Sequence, residues 1–305
     1  MSGSVRVFQV DAFTSQRFCG NPAGVVLDAD VLSDRDMQAL ARELNNGDTA
    51  FLLRPDAPDH DLRVRFFTPR REATFVGHAT LAAHAVLASL QLAPRRRQKQ
   101  QSGLVEVDTF AGEAPRIAIH LPPPQLGRAL APHELEAVLA ALSLGHADLD
   151  PRCPPMIAGH GSTRLLLGVL EAAVLGRVQP DLSRLSALSA QIGASGYFLF
   201  TLHPSQAAVF SEARMFCPAL GIDEDPVSGN AHALLGAYLL HHRLIVPAAT
   251  GGPSECETLE FTGAQGHYLG RPGRVTVALQ FEQRVLRSVS IVGEAVIVFA
   301  TTLDF

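Results

Sequence analysis

The chain is short of the features that mark several protein classes. Its four cysteines, Cys19, Cys153, Cys217 and Cys256, are scattered and form no CxxC pair. They read as reduced thiols of a cytoplasmic protein. Its twelve histidines lack metal spacing. His78 and His84 lie six residues apart, about 600° around a helix, and so share no face. No metal site is expected. There is no excess of positive charge: the net charge of -5 leaves no electrostatic footprint for nucleic acid and no strong pull toward anionic membranes. Apolar runs stop short of the roughly 18 residues a membrane span needs. The best candidate, Leu81 to Leu90, is interrupted by His84 and Ser89. The first residues enter an alternating strand pattern, not a signal peptide. Charged residues make up only 18%, against 47% hydrophobic. That composition argues for a sizeable core and against disorder. The 305 residues suit one large domain, or two of about 150 residues each.

What is present is a mixed pattern of strands and helices. Val5 to Val10 alternates, and Ala23 to Leu27 follows the turn signal GNPAG. In SDRDMQALAREL, Ser33 can cap a helix whose positive end suits Asp34 and Asp36. Met37, Leu40, Ala41 and Leu44 share one face of that helix, and Asn45, Asn46 and Gly47 supply its stop. Strands are expected at Thr49 to Leu53, Leu62 to Phe67, Val105 to Phe110 and Arg116 to Leu121. ATLAAHAVLASL is small and apolar nearly all round, as in a helix buried on every side. The basic run PRRRQKQ, Pro94 to Gln100, reads as a solvated loop. The proline-rich stretch Pro122 to Pro132 reads as a linker, and His241-His242 as a helix end.

The second half repeats the first. ALARELNNGDTAFLL (Ala39 to Leu53) lies over ALSAQIGASGYFLFT (Ala187 to Thr201). RFFTP (Arg65 to Pro69) lies over RMFCP (Arg214 to Pro218). GHATLAAHAVL (Gly77 to Leu87) lies over GNAHALLGAYL (Gly229 to Leu239). The three segments keep their order, which points to an internal duplication. Two similar α+β lobes are expected, each wrapping a sheet around one buried helix, with a cleft between them.

Each lobe then has a Gly-polar-Ala entrance to its buried helix, Gly77-His78-Ala79 and Gly229-Asn230-Ala231. The free N–H groups at such a start can face a small carboxylate or a developing enolate. The same glycines could instead serve only a tight turn. The lobes differ chemically, since Asp48 aligns with Gly196. One acid at one of two equivalent points suggests a single acid/base, although Asp48 is also placed as a turn residue. His78 could be a satisfied buried histidine. Asp225 could form an Asx-turn before Pro226 or cap the helix. Asn21, in GNPAG, could be a turn residue or line the site.

Several segments together carry a family likeness: VDAFTSQRFCGNPAGVV, LNNGDTAFLL, FTPRREATFVGHATLAAH, MFCPALGIDEDPVSGNAHALLGAYL and GAQGHYLGRPG. With these the chain resembles, almost end to end, the PhzF-like phenazine-biosynthesis isomerases, and most of all their uncharacterised bacterial members. The resemblance implies an α+β, diaminopimelate epimerase-like fold of two pseudo-symmetric lobes and commonly a homodimer. It implies a first lobe over residues 1–125, a second over 126–288, and a C-terminal strand, about 289–305, returning to the first.

The activity it implies is cofactor-free isomerisation by proton transfer on a small carboxylate- or amino-acid-like substrate. It places the proton carrier at Asp48, where the family's usual residue is glutamate. His78 and Asp225 fall on its supporting histidine and aspartate, and Asn230 falls where the family has serine. Asn21, Gly77, Gly229 and Asn230 are the expected substrate-binding residues. The related epimerases carry a catalytic cysteine at each helix start, where this chain has Gly77 and Gly229, so a two-cysteine racemase is disfavoured. The other readings are an amino-acid racemase or epimerase in which Asp48 works with a partner such as His78 or Asp225, and a small-carboxylate-binding protein on a decayed isomerase scaffold.

Overall fold

The structure is a computed structural model that describes residues 3–91, 95–110, 115–159, 162–246, 256–282 and 285–304. The chain divides into two compact units: residues 1–121 with 291–305, and residues 122–290. No helix among the described residues is long and apolar enough to cross a membrane.

The first unit runs β1 (Ser4–Ala12), β2 (Asn21–Leu27), α1 (Asp34–Leu44), β3 (Asp48–Leu53), β4 (Leu62–Phe67), β5 (Glu72–Ala73), α2 (Gly77–Ser89), β6 (Arg95–Gln100), β7 (Gly103–Phe110) and β8 (Arg116–Leu121). Its pairing alternates in a fixed way. β2 and β3 are parallel, β3 and β4 antiparallel, β4 and β6 parallel, β6 and β7 antiparallel. Two helices serve different faces of this sheet. α1 is amphipathic, and Met37, Leu40 and Ala41 pack with Val5, Val7, Val26, Phe51 and Phe67. Ser33 caps it and exchanges hydrogen bonds with Asp36 in a capping box. α2 has no polar face: Ala79 to Val86 are all buried, and the helix packs against β1, β2, β3, β7 and β8. A helix apolar all round is stable only when enclosed, and the curled sheet encloses it.

The second unit runs β9 (Leu126–Ala129), α3 (Pro132–Leu142), β10 (Met156–Ala158), β11 (Arg164–Gly168), α4 (Ala172–Arg177), α5 (Leu182–Ile192), β12 (Gly196–Thr201), β13 (Ser211–Phe216), α6 (Gly229–His241), β14 (Cys256–Gln265) and β15 (Gly273–Glu282). The pairing sequence recurs: β11 and β12 parallel, β12 and β13 antiparallel, β13 and β14 parallel, β14 and β15 antiparallel. α6 repeats α2 as the buried helix, and α3, α4 and α5 cover the outer face. The chain closes with β16 (Val285–Asp304), whose later residues pair antiparallel with β1, from Ser4 against Asp304 to Ala12 against Ala295.

Two expectations are corrected. The basic run forms strand β6 over Arg95 to Gln100, not a solvated loop; Pro94 lies outside the described residues. The inward positions of β6 are Gln98 and Gln100, both buried. Their amides bond to His84, Thr80 and each other, so the alternation is there but carries no hydrophobic signal. The stretch Pro122 to Pro132 is not simply a linker. Beyond the three prolines, which lack N–H groups, Leu126–Ala129 pairs with β10, and Pro132 opens α3.

Candidate active site

In the first unit the site starts where α1 stops. Asn45 takes the left-handed conformation, φ 52°, and ends the helix. Gln9 and Asn46 exchange two amide hydrogen bonds, 3.0 and 2.8 Å, and fasten this turn to β1. Asp48 follows as the first residue of β3, only 7% exposed, in parallel register with Ala23. Asn21, also buried, opens β2. Strand alternation puts Asn21 on the face of Ala23, and therefore of Asp48.

His78 is the second residue of α2. Its Nε2 lies 3.7 Å from Oδ2 of Asp48. That is beyond hydrogen-bond length, and Nε2 is buried without a hydrogen-bond partner. Burial pushes the imidazole pKa down to about 4, so it is neutral at pH 7. Val76 starts α2 without a side-chain cap, and the first intrahelical bond runs from Thr80 N–H to Val76 O, 3.0 Å. The amides of Gly77, His78 and Ala79 precede that bond at the positive end of a buried helix.

In the second unit Gly229 opens α6, and Asn230 occupies the place that His78 has in α2. Oδ1 of Asn230 is likewise buried with no hydrogen-bond partner. Buried polar atoms are almost always paired, so one orphan at each helix start calls for an explanation such as a ligand. Unlike α2, α6 is capped: Ser228 Oγ accepts from Ala231 N–H. Asp225 therefore is not the cap residue. Its own N–H donates to Met215 O at 2.8 Å. Just before it, Glu224 takes Arg214 in a two-pronged ion pair, 2.9 and 2.8 Å, with the guanidinium over Phe216. Arg65, Glu72 and Phe67 make the same arrangement in the first unit.

The position equivalent to Asp48 holds no acid. A Cβ on Gly196 would lie 2.6 Å from Cys217 Sγ and 3.0 Å from Arg164 Cδ, so those side chains fill the space. Burial pushes the Cys217 thiol up to about 12, which leaves it unreactive at neutral pH. Among the described residues no group of three or more His, Cys, Asp or Glu could hold a metal ion. The structure thus brings Asp48, His78 and Asn21 to one region of the first unit. It brings Asp225, Gly229 and Asn230 to one region of the second. Ser228 escaped the sequence reading, though a serine just before a helix-opening glycine was signal enough.

The family model for phenazine biosynthesis-like proteins matches residues 10–301. The chain belongs to this family. An uncharacterized isomerase of Clostridium acetobutylicum is 36% identical, with 97% of each chain covered. Within the same family, the trans-2,3-dihydro-3-hydroxyanthranilate isomerase of Pseudomonas aeruginosa is 30% identical over 88% of each chain. A crystal structure of a PhzF-family protein from Bacillus anthracis matches over 99% of both chains, with a TM-score of 0.85 and 26% identity. A hydroxyproline epimerase from Agrobacterium vitis, at 12% identity and a TM-score of 0.65, shares the fold alone, over 99% of this chain and 93% of its own. The α+β architecture is therefore the diaminopimelate epimerase-like one, and the enzyme class the family gives this chain is isomerase.

Proposed function

We propose that the chain moves a proton between carbons of a small carboxylate- or amino-acid-like substrate, with Asp48 as the general acid/base. The observation that carries this reading is the Asp48 carboxylate 3.7 Å from the unpartnered Nε2 of a neutral His78, at the uncapped start of a buried helix. The carboxylate takes a proton from a carbon activated by a neighbouring carboxylate or double bond. The electron pair left behind spreads into the conjugated system, and the same carboxyl returns the proton to a different carbon. The reaction needs no oxidant or reductant, since one proton leaves and one returns, and the proton held on the carboxyl exchanges with water in between. A neutral His78 can donate or accept a hydrogen bond to a polar substrate group without competing for the moving proton. The amides at the start of α2 can hold a carboxylate or the developing enolate. Asp225 and Asn230 are assigned to orienting polar substrate groups, and Gly229 to letting a ligand come close to the backbone at the start of α6.

Inversion of a stereocentre calls for acceptors on both faces. The counterpart of Asp48 is Gly196, whose space Arg164 and Cys217 occupy, which supports isomerisation over epimerisation. The test is deuterium uptake, in deuterated water, from a panel of conjugated small carboxylates and dienyl amino acids. The panel includes trans-2,3-dihydro-3-hydroxyanthranilate, named for the Pseudomonas aeruginosa relative. The unmodified chain exchanges deuterium into its substrate, and Asp48→Asn, still folded, does not. Unchanged exchange in Asp48→Asn removes Asp48 as the base. Tight carboxylate binding with no exchange across the panel would make the chain a binding protein.

A further inference from the structure

Gln265 ends β14 with its side chain buried, 2% exposed, and directed at backbone on the approach to α6. Its Nε2 donates to the carbonyl of Asp225 at 2.6 Å. Its Oε1 accepts from the N–H of Ser228 at 3.0 Å. These partners fix the amide orientation, because a carbonyl cannot donate and an N–H cannot accept. One side chain thus closes a bridge over Asp225 to Ser228. A candidate site residue stands at one end of the bridged segment and the cap of α6 at the other.

The next residue tightens the same place. Gly266 has φ +85°, and a Cβ there would lie 2.2 Å from Arg271 O and 2.8 Å from Pro226 O. The backbone after Gln265 therefore runs directly against the bridged segment. Among the described residues the first unit shows no such device. The β13–β14 register pairs Ala213 with Gln265, and the β4–β6 register, continued one step past Arg63 and Lys99, brings Gln100 to the equivalent place. Gln100 bonds to Gln98 and Ser102 instead, and α2 is left without a side-chain cap.

We propose that Gln265 is a positioning residue that holds the backbone of Asp225 and the first turn of α6 in the arrangement the proton transfer requires. It acts through Asp225 and the helix start, and this rests on the reading of Asp225 as a site residue. A loss of either bond frees a segment whose displacement by about 1 Å is enough to cost on the order of a hundredfold in rate.

Two substitutions separate the role from simple packing. Gln265→Leu removes both bonds. Gln265→Glu keeps the acceptor for Ser228, but its ionised form has no proton to give to the Asp225 carbonyl. Burial and that facing carbonyl raise the folded-state pKa of the new carboxyl above its unfolded value. The bridge in Gln265→Glu is therefore complete at low pH and lost as pH rises through the folded pKa.

The experiment combines amide hydrogen exchange over Asp225 to His232 with kcat and KM on the panel compound into which the unmodified chain moves deuterium, trans-2,3-dihydro-3-hydroxyanthranilate being tried first. Gln265→Leu is expected to exchange the Ser228 and Ala231 amides at least about tenfold faster and to lose roughly tenfold to a hundredfold in kcat, with a smaller change in KM. Gln265→Glu is expected to approach the unmodified kcat near pH 5 and to fall away near pH 8. Unchanged exchange at Ser228 in Gln265→Leu overturns the bridge. A lowered Tm with unchanged kcat per folded molecule overturns the positioning role, and so does a flat pH ratio for Gln265→Glu. If Gln265→Leu does not fold, the two pH arms of Gln265→Glu decide. If the unmodified chain moves no deuterium into any compound of the panel, the isomerase reading fails instead, and amide exchange alone judges the bridge.

Discussion

Oδ2 of Asp48 stands 3.7 Å from Nε2 of His78, close enough for the carboxylate to attract a protonated ring and too far for a hydrogen bond. A protonated imidazole there would be drawn to the carboxylate. Burial outweighs that attraction and lowers the His78 pKa from 6.5 to about 4. His84 and His232 are also lowered to about 4 by burial.

The pH dependence of stability follows. A buried histidine of lowered pKa stays neutral in the folded chain while the unfolded chain takes up its proton below about pH 6.5. The unfolded state then binds more protons, so stability is full at neutral pH and falls as pH drops from about 6.5 to about 4. For one histidine the whole effect is at most about 3–4 kcal/mol, from a pKa lowered from 6.5 to about 4 at about 1.36 kcal/mol per pH unit. The Nε2 of His78 is buried, but the side chain is 12% exposed, and water at that edge reduces its share. Urea unfolding at pH 7, 6 and 5 measures the slope. His78→Gln is expected to lower the proton uptake on unfolding by about one. An unchanged slope would mean that His78 is already charged in the folded chain.

Lengthening the acid tests the fit of the pocket. Asp48→Glu adds a methylene, about 1.5 Å of reach, at a residue 7% exposed on a strand fixed by its pairing with Ala23. The carboxylate then moves relative to His78 while the backbone stays. On the chain's own substrate kcat should fall by roughly a hundredfold. A gain in rate on trans-2,3-dihydro-3-hydroxyanthranilate would show that side-chain length sets the substrate. Steady-state kinetics on both compounds reads the outcome.

The sequence carried the fold because duplication leaves the same signals twice. Ser33 and Asn45 bracket α1, Asp181 and Gly193 bracket α5, and both are followed by an apolar strand. The buried helices were legible because neither has a polar face. Asp48 was legible through its alignment with Gly196, and His78 and Asn230 through the paired Gly-polar-Ala entrances. β6 was hidden because its inward residues are glutamines. The bond from Gln265 to Asp225 spans 40 residues, and no local pattern announces it. Nor could the sequence show that Nε2 of His78 and Oδ1 of Asn230 go unpaired, since that depends on what does not approach them.

Gly196→Ala asks whether the second unit can accept any side chain at the place of Asp48. The added Cβ meets Cys217 Sγ at 2.6 Å, Arg164 Cδ at 3.0 Å and the Phe216 carbonyl at 3.2 Å. Arg164 is itself held, with Nη1 on Ser162 Oγ and Thr163 O. Cys217 is buried and cannot swing into water. Overpacking of this kind costs about 1–3 kcal/mol. Thermal or urea melts should show that loss, with deuterium exchange per folded molecule preserved. Full stability in Gly196→Ala would mean that the space is open and that a second acid could be built there.

The two buried helices reach the same volume by opposite choices, and this gives a rescue experiment. In the first unit a small residue on the helix, Thr80, faces a large one on the strand, and Gln98 bonds to both Thr80 and His84. In the second unit the helix residue equivalent to Thr80 is His232, and the strand position equivalent to Gln98 is Gly263, by the matching registers of β4–β6 and β13–β14. A Cβ on Gly263 would lie 2.3 Å from Cδ2 of His232 and 2.9 Å from Ser211 Oγ. His232 is fully buried, with Nδ1 facing Ser228 O at 2.9 Å and its ring edge-on to Phe198, so it cannot yield. Gly263→Ala alone should therefore be strongly destabilised, by about 3 kcal/mol or more, at the upper end of overpacking. His232→Thr alone should also lose stability, through the cavity left by the ring. The double variant should lose much less than the sum of the two single losses, with a coupling of about 1–3 kcal/mol measured by urea melts in a double-mutant cycle. Additive losses would show that the two positions do not share a volume, and that His232 is held in place by something other than the absence of a side chain at Gly263.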